Sequence, residues 1–140
     1  MTVEKIIVTP LKRISVAGGD VFHAIKKNDA GFVDFGEAYF SMIDKGAIKP
    51  WKRHLRMTLN LVVPVGMVRF VFIDSEGARR EESIGVDRYV RLTVPPSIWF
   101  AFEGLSSPYS LLLNVADIPH DPNEIERKEL DAYMNDWKKQ

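Results

Sequence analysis

The sequence predicts an antiparallel β sandwich or barrel formed by one domain, and three of its features lead to this prediction. The chain has 140 residues, 46% of them hydrophobic, which suffices to bury one core. Turn-forming residues recur at short intervals, for example at residues 28–31, 44–46 and 75–77. The segments between the turns are short, and no helical segment separates the central ones, as a βαβ fold would require.

Five of these segments carry a clear strand signal because they are rich in β-branched and aromatic residues. They span residues 37–43, 57–63, 67–74, 89–94 and 111–115. A sixth run near the N-terminus, residues 5–9, could form an edge strand of the same chain or add to the sheet of a second copy. We therefore expect a sheet-rich domain covering residues 1–140.

The end of the chain has a different pattern, which predicts a C-terminal helix over about residues 123–138. Asp121 and Pro122 resemble a helix entry, acids come early, and lysines come late, as the helix dipole favours. The apolar residues of this segment form one stripe: Ile125, Leu130, Met134 and Trp137. We expect that stripe to pack on the barrel or on a partner subunit.

Composition and charge narrow the possible partners. Nineteen basic residues balance nineteen acidic residues, which gives no electrostatic reason to expect nucleic acid or an anionic membrane. No apolar stretch approaches the roughly 20 residues of a spanning helix, and the N-terminus does not resemble a secretory signal. The chain lacks cysteine, which excludes disulfides and thiolate chemistry and is compatible with a cytoplasmic location.

Strand alternation singles out a polar row in the middle of the chain. If residues 52–60 are extended, one face carries only polar side chains. That row consists of Lys52, His54, Arg56, Thr58 and Asn60, and a second row upstream consists of Glu37, Tyr39 and Ser41. Both rows could be an ordinary solvated face. The nearby aromatic residues Trp51 and Trp99 favour instead a ligand cleft that the two rows line from neighbouring strands, although core packing explains the tryptophans equally well.

Three segments of the sequence resemble one branch of the cupins. They read FGEAYFSMIDKGAIKPWKRHLRMTLNLVVPVG (35–66), VPPSIWFAFEGL (94–105) and NVADIPHDPNEIER (114–127). The resemblance is to dTDP-4-dehydrorhamnose 3,5-epimerases and dTDP-sugar 3,4-ketoisomerases. It implies a double-stranded β-helix (jelly-roll-like) barrel, a homodimer, and proton transfer next to a 4-keto group without metal or cofactor.

The metal-binding pattern of other cupins is broken here. Gly46 and Gly66 occupy the two glycine positions of that pattern, and His54 occupies one ligand position. Lys52, however, replaces a ligand histidine, and Phe100 stands near the last ligand position. One surviving ligand is too few for a stable site, so we expect no metal.

The resemblance also marks catalytic positions. Lys52 stands where both groups of enzymes keep a histidine base, and His54 matches the second ketoisomerase histidine. Leu113 falls near the epimerases' catalytic tyrosine, and Asp117 matches the aspartate that pairs with their histidine.

The chemistry of proton transfer next to a ketone suggests a role for each of the candidate side chains. A neutral His54 can take a proton from a carbon next to a ketone. Lys52 acts as a base if its pKa is low and otherwise stabilises the enolate, while Tyr39 can serve as the acid. The expected substrate-binding residues, including cations for a diphosphate, are Glu37, Lys49, Trp51, Arg56, Asn60, Arg69 and Trp99.

Three functions fit these observations. In the first, the chain acts on a dTDP-4-keto-6-deoxyhexose as an epimerase or isomerase. Alternatively, it is a non-catalytic cupin that binds a nucleotide sugar or another small acidic ligand, or an enzyme of unrelated chemistry on the same barrel.

Overall fold

Short strands with alternating apolar residues build two five-stranded antiparallel sheets. The structure is a computed structural model and describes residues 1–139. The strands of this part of the chain are β1 (Ile7–Pro10), β2 (Arg13–Ile14), β3 (Val21–Phe22), β4 (Glu37–Asp44), β5 (Ile48–His54), β6 (Leu59–Val65), β7 (Met67–Ile73), β8 (Arg79–Gly85), β9 (Val90–Val94), β10 (Trp99–Gly104), β11 (Tyr109–Ala116) and β12 (Ile125–Arg127). The first sheet has the order β1-β9-β6-β11-β4 and the second β12-β5-β10-β7-β8, while β2 and β3 form a separate ribbon.

The main core lies between the two sheets. Each strand turns alternate residues inward, and the core is filled by large apolar side chains such as Phe70, Phe72, Leu61 and Leu92. Sheet neighbours are mostly not consecutive in sequence, so strands from distant parts of the chain interleave within each sheet. The prediction of an all-β, jelly-roll-like barrel is confirmed.

The predicted continuous strand over residues 52–60 is wrong beyond His54. β5 ends at His54 in the second sheet, and β6 begins at Leu59 in the first, so the chain crosses between the sheets there. At the crossing, backbone N–H groups have no hydrogen-bond partner on a neighbouring strand. Two carboxylates accept them: Asp117 binds Thr58 N at 2.7 Å and Glu124 binds Met57 N at 3.2 Å.

The predicted C-terminal helix is shorter than expected. The α helix, α1, covers only Met134–Lys138, and the preceding residues form a 3₁₀ helix (Pro122–Glu124), β12, and a second 3₁₀ helix (Leu130–Tyr133). β12 pairs with the free edge of β5. This pairing stabilises the extended conformation more than the local helix propensity stabilises a helix. No helix within residues 1–139 is long and apolar enough to cross a membrane.

The C-terminal segment packs on the outer face of the second sheet, as the apolar stripe predicts. Trp137 is buried there against Trp51, and Trp51 Nε1 donates a hydrogen bond to Leu130 O at 3.1 Å. Arg69 and Arg79 bind backbone carbonyls at the end of the segment. This anchoring brings Glu124 and Arg127 to the region where β5 ends.

Candidate active site

A small cavity of about 70 Å³ opens between the sheets and brings together two residues from each of the two predicted polar rows. β4 contributes Tyr39 and Ser41, and β5 contributes Lys52 and His54. The two strands belong to different sheets and face each other across the interior. The remaining lining residues are Leu59, Leu61, Phe100, Phe102, Leu112 and Asn114. The mixture of apolar walls with a few polar groups is typical of a small-molecule site.

His54 is buried and is held by a carboxylate from the C-terminal segment. Its Nδ1 lies 2.5 Å from Glu124 Oε1, and its ring stacks on Phe100 with 6.2 Å between ring centroids. Glu124 Oε2 accepts the backbone N–H groups of Arg56 and Met57, both at 3.2 Å. These bonds hold the carboxylate in place. Because an ionised carboxylate can only accept a hydrogen bond, Nδ1 carries the proton and donates it to Glu124. The other ring nitrogen, Nε2, is left to accept a proton.

The pKa values of the pair favour a neutral histidine beside an ionised carboxylate. Burial lowers the pKa of His54 below its ordinary value, although the hydrogen bond to Glu124 opposes this. Burial raises the pKa of Glu124, but the hydrogen bonds from His54 and from the Arg56 and Met57 amides outweigh it and lower that pKa overall. His54 therefore has the protonation state of a general base near neutral pH.

Lys52 sits beside this pair with no carboxylate partner of its own among residues 1–139. Burial lowers the pKa of Lys52, and the charges of Arg127 and Lys49 lower it further, while Glu124 acts in the opposite direction. Its Nζ lies 6.0 Å from the centre of the Phe100 ring. The side chain thus presents a partly desolvated amine to the cavity, a setting in which a lysine is chemically active.

Tyr39 faces Lys52 and His54 from the opposite sheet. Its Oη accepts a hydrogen bond from Asn114 Nδ2 at 3.1 Å, because the two residues are direct cross-strand partners on β4 and β11. Since Oη accepts this bond, its own proton remains available to another acceptor. Leu113, the position that the resemblance relates to a catalytic tyrosine, lies between the cavity-lining Leu112 and Asn114.

A larger pocket of about 510 Å³ adjoins the cavity and shares Ser41, Lys52 and Phe102 with it. Its other lining residues are Lys49, Pro50, Trp51, Arg127, Lys128 and Glu129. Four of the nine lining side chains are cationic and one is acidic. The pocket is therefore suited to an anionic group joined to whatever occupies the inner cavity. An irregularity in the pairing of β5 with β10, between Lys49 and Lys52, shapes this wall.

Three predicted site residues lie near the ends of the strands rather than at the cavity. Asp117 does not pair with His54, since its carboxylate accepts Thr58 N and Glu124 takes the expected place. Arg56 is exposed and pairs with Asp121, and Glu37 accepts the backbone N–H of His120.

Three others lie on the outer faces of the sheets. Asn60 is buried among Arg91, Thr93 and Gly31 on the first sheet. Arg69 stacks on Trp137, and Trp99 packs in the same outer cluster. Strand alternation does not continue through the β5–β6 crossing, and for this reason it misplaced Asn60. Core packing explains both Trp99 and Trp51, which are buried in the same cluster.

Several residues of the site were not predicted. Glu124, Arg127 and Lys128 belong to the segment that was expected to be helical, and their long-range contacts leave no local signal. Asn114 could have been found by alternation on β11, where it shares the inner face with Leu112. Within residues 1–139, no three His, Cys, Asp or Glu side chains come close enough to hold a metal ion.

Comparison with solved structures finds clear similarity. The chain is 34% identical to a dTDP sugar isomerase from Desulfovibrio desulfuricans G20, with a TM-score of 0.89 over 92% of this chain and 87% of that one. It also shares its fold with the sugar 3,4-ketoisomerase of Thermoanaerobacterium thermosaccharolyticum, solved in complex with TDP, at 19% identity, a TM-score of 0.77, and coverage of 95% and 94%.

The same fold occurs in the dTDP-4-dehydrorhamnose 3,5-epimerase of Sulfolobus tokodaii, at 16% identity and a TM-score of 0.79 over 90% of this chain and 78% of that one. No protein-family model matches the chain, and no curated protein sequence matches it.

Proposed function

The chain belongs to the dTDP-sugar isomerase family, and on that premise we propose that it moves protons next to the keto group of a dTDP-4-keto-6-deoxyhexose, as an epimerase or ketoisomerase. The observation that carries the proposal is the cavity in which a neutral His54, backed by Glu124, faces Lys52 and Tyr39. Such a group of side chains is what proton transfer α to a ketone requires.

The proposed reaction begins at His54. Nε2 takes the proton from a ring carbon next to the carbonyl, and the electron pair of that C–H bond forms the enolate. Glu124 stabilises the imidazolium that results, as a buried carboxylate does for a catalytic histidine. Because Glu124 is itself held by two backbone N–H groups, the histidine keeps one orientation through the proton transfer.

Lys52 and Tyr39 complete the cycle. The Lys52 ammonium stabilises the negative charge that develops on the keto oxygen, in a cavity where partial burial strengthens the interaction. Tyr39, on the opposite wall, donates its phenolic proton to the enolate carbon, which forms the new C–H bond and leaves a phenolate. The phenolate then takes a proton from solvent, and the His54 imidazolium releases its proton to solvent. Atoms and charge balance without a metal or cofactor, and we expect EDTA to leave the rate unchanged.

The nucleotide part of the substrate belongs, in this proposal, to the outer pocket. Lys49, Arg127 and Lys128 provide positive charge for a diphosphate. A volume of about 510 Å³ lies in the range of small-molecule sites. Of the predicted substrate-binding residues, Lys49 and Trp51 border this pocket.

Solvent exchange tests the proposal. With dTDP-4-keto-6-deoxyglucose in D₂O, the enzyme should replace a hydrogen next to the carbonyl by deuterium, which NMR detects directly. Absence of exchange at saturating enzyme would contradict the proposal. Saturable binding of dTDP without exchange would support the non-catalytic alternative.

We further propose that the protein is a cytoplasmic homodimer. The outward side chains of β4 include Phe40 and Met42, which are 62% and 56% exposed, and Val65 on β6 is also exposed. Leu111 and Leu113 on β11, between these strands, are only half-buried. An apolar patch of this kind supports docking of a second copy. The lack of cysteine is compatible with a reducing compartment.

A further inference from the structure

Asn114 holds an open hydrogen-bonding position in the cavity. The residue is 4% exposed and lines the cavity from β11, between the two sheets. Its Nδ2 donates to Tyr39 Oη at 3.1 Å, but its Oδ1 is buried and has no hydrogen-bond partner within residues 1–139. No other buried side-chain nitrogen or oxygen atom of these residues lacks a partner.

A second buried asparagine shows how unusual this is in the molecule. Asn60 is equally buried, and both ends of its amide are satisfied. Its Oδ1 accepts from Arg91 Nε at 3.0 Å and from Thr93 Oγ1 at 2.6 Å, and its Nδ2 donates to Gly31 O at 3.1 Å. The fold therefore satisfies a buried amide completely where that amide only supports structure. An open amide end at a cavity destabilises the protein unless a water molecule or a ligand binds it, and a ligand that enters the cavity must replace any such water.

We propose that the open end of the Asn114 amide binds a hydroxyl group of the sugar ring, which makes Asn114 a specificity-determining residue. The inference rests on the proposed function, since it takes the inner cavity as the sugar subsite. A hydroxyl suits the position in either orientation of the amide. It donates to Oδ1 as the residue stands, and it accepts from Nδ2 if the amide is turned.

The contact with Tyr39 gives the same residue a second effect. While Nδ2 donates to Tyr39 Oη, the phenolic proton must point to a different acceptor. Asn114 thereby holds Tyr39 as a donor toward the substrate while its other end binds the sugar. Recognition of the hydroxyl and orientation of the acid are thus coupled through one amide group, across the β4–β11 pair.

Calorimetric binding tests the inference with two ligands, dTDP and dTDP-6-deoxyglucose. Asn114→Leu preserves size and removes both polar ends. We expect it to weaken the binding of dTDP-6-deoxyglucose about 10- to 100-fold, which is the effect of leaving a buried polar group unpaired. The affinity for dTDP should change less than about twofold. Asn135→Leu, at an exposed site on α1, is the matched control and should change neither. Circular dichroism checks folding, and Asn114→Ala replaces the leucine variant if that variant does not fold.

The three single-deoxy analogues of the sugar identify the hydroxyl. The analogue that lacks the contacted group should bind the wild type and Asn114→Leu equally. The inference is overturned if no analogue does so, or if the variant binds dTDP-6-deoxyglucose as tightly as the wild type does. It is also overturned if the variant's affinity for dTDP falls as much as its affinity for dTDP-6-deoxyglucose.

Solvent exchange, measured separately, distinguishes failure of the inference from failure of the proposed function. If Asn114→Leu binds only the sugar ligand more weakly but the wild type shows no solvent exchange, the proposed catalysis alone is contradicted. If the wild type shows solvent exchange but Asn114→Leu shows no loss of affinity specific to the sugar, this inference alone is contradicted. If the wild type binds no sugar nucleotide, both are overturned.

Discussion

His54 and Glu124 are 70 residues apart in sequence and form the tightest polar contact of the candidate site. His54 could be singled out from the sequence because alternation and family resemblance both mark it. Glu124 could not, because an acid after Pro122 is also what a helix entry contains. Its role depends on the C-terminal segment returning to the end of β5, which no local pattern encodes.

Glu124→Gln tests the role of this carboxylate. Glutamine can still accept the backbone N–H groups, so the fold should survive, but it no longer stabilises the imidazolium. We expect the exchange rate to fall about 10²-fold or more, within the range of general-base effects, with little change in substrate affinity. Glu126→Gln is the matched control, since Glu126 pairs with Arg53 away from the cavity. Equal rates in the two variants would remove Glu124 from the mechanism.

The pH dependence of kcat/KM tests the roles of His54 and Lys52. His54 must be neutral to act, and its lowered pKa places the acidic loss of activity below pH 6.5. Lys52 must be charged to stabilise the enolate, and its lowered pKa makes activity fall again at a pH below 10.5. Lys52→Arg should retain activity and move the alkaline fall upward, because arginine stays charged. If Lys52 were the base instead, this variant would abolish exchange at every pH.

Among the secondary-structure elements, the C-terminal segment differs most from its prediction. Its charge order and apolar stripe favour a helix over 123–138, yet only Met134–Lys138 is α-helical. The edge of β5 binds β12, and the tryptophan cluster anchors the remainder. The stripe did predict correctly that the segment packs against the barrel. The contacts with β5 and with the tryptophan cluster determine its conformation, and they also place Arg127 and Lys128 at the outer pocket.

The outward face of β4 and β11 allows a test of the proposed dimer. Replacing Phe40 and Met42 together by aspartate puts charge on the exposed patch, which should prevent association while leaving the inward residues unchanged. Sedimentation should then give the 16.0 kDa mass of one chain, against about twice that for the wild type. Leu55→Asp, on an exposed residue outside this face, should remain a dimer. A monomeric wild type would contradict the proposal.

For the molecule as a whole, the sequence predicted the all-β architecture and a cleft lined by part of each of the two polar rows. It did not predict that the rows come from opposite sheets, because that depends on the change of sheet between Asp44 and Ile48. The next crossing, between His54 and Leu59, moved Asn60 to an outer face, and sheet packing placed Arg69 and Trp99 under the C-terminal segment. The residues at the cavity, by contrast, lie within single strands, where alternation holds.

The cavity between the sheets and the cationic pocket beside it together indicate that the barrel interior transfers protons on a nucleotide-linked keto sugar. The most direct test follows the proton NMR spectrum of dTDP-4-keto-6-deoxyglucose in D₂O with wild-type enzyme and with His54→Asn. We expect the signal of a hydrogen next to the carbonyl to disappear with the wild type and to persist with the variant. Persistence of every such signal with the wild type, or equal exchange in the two proteins, would contradict it.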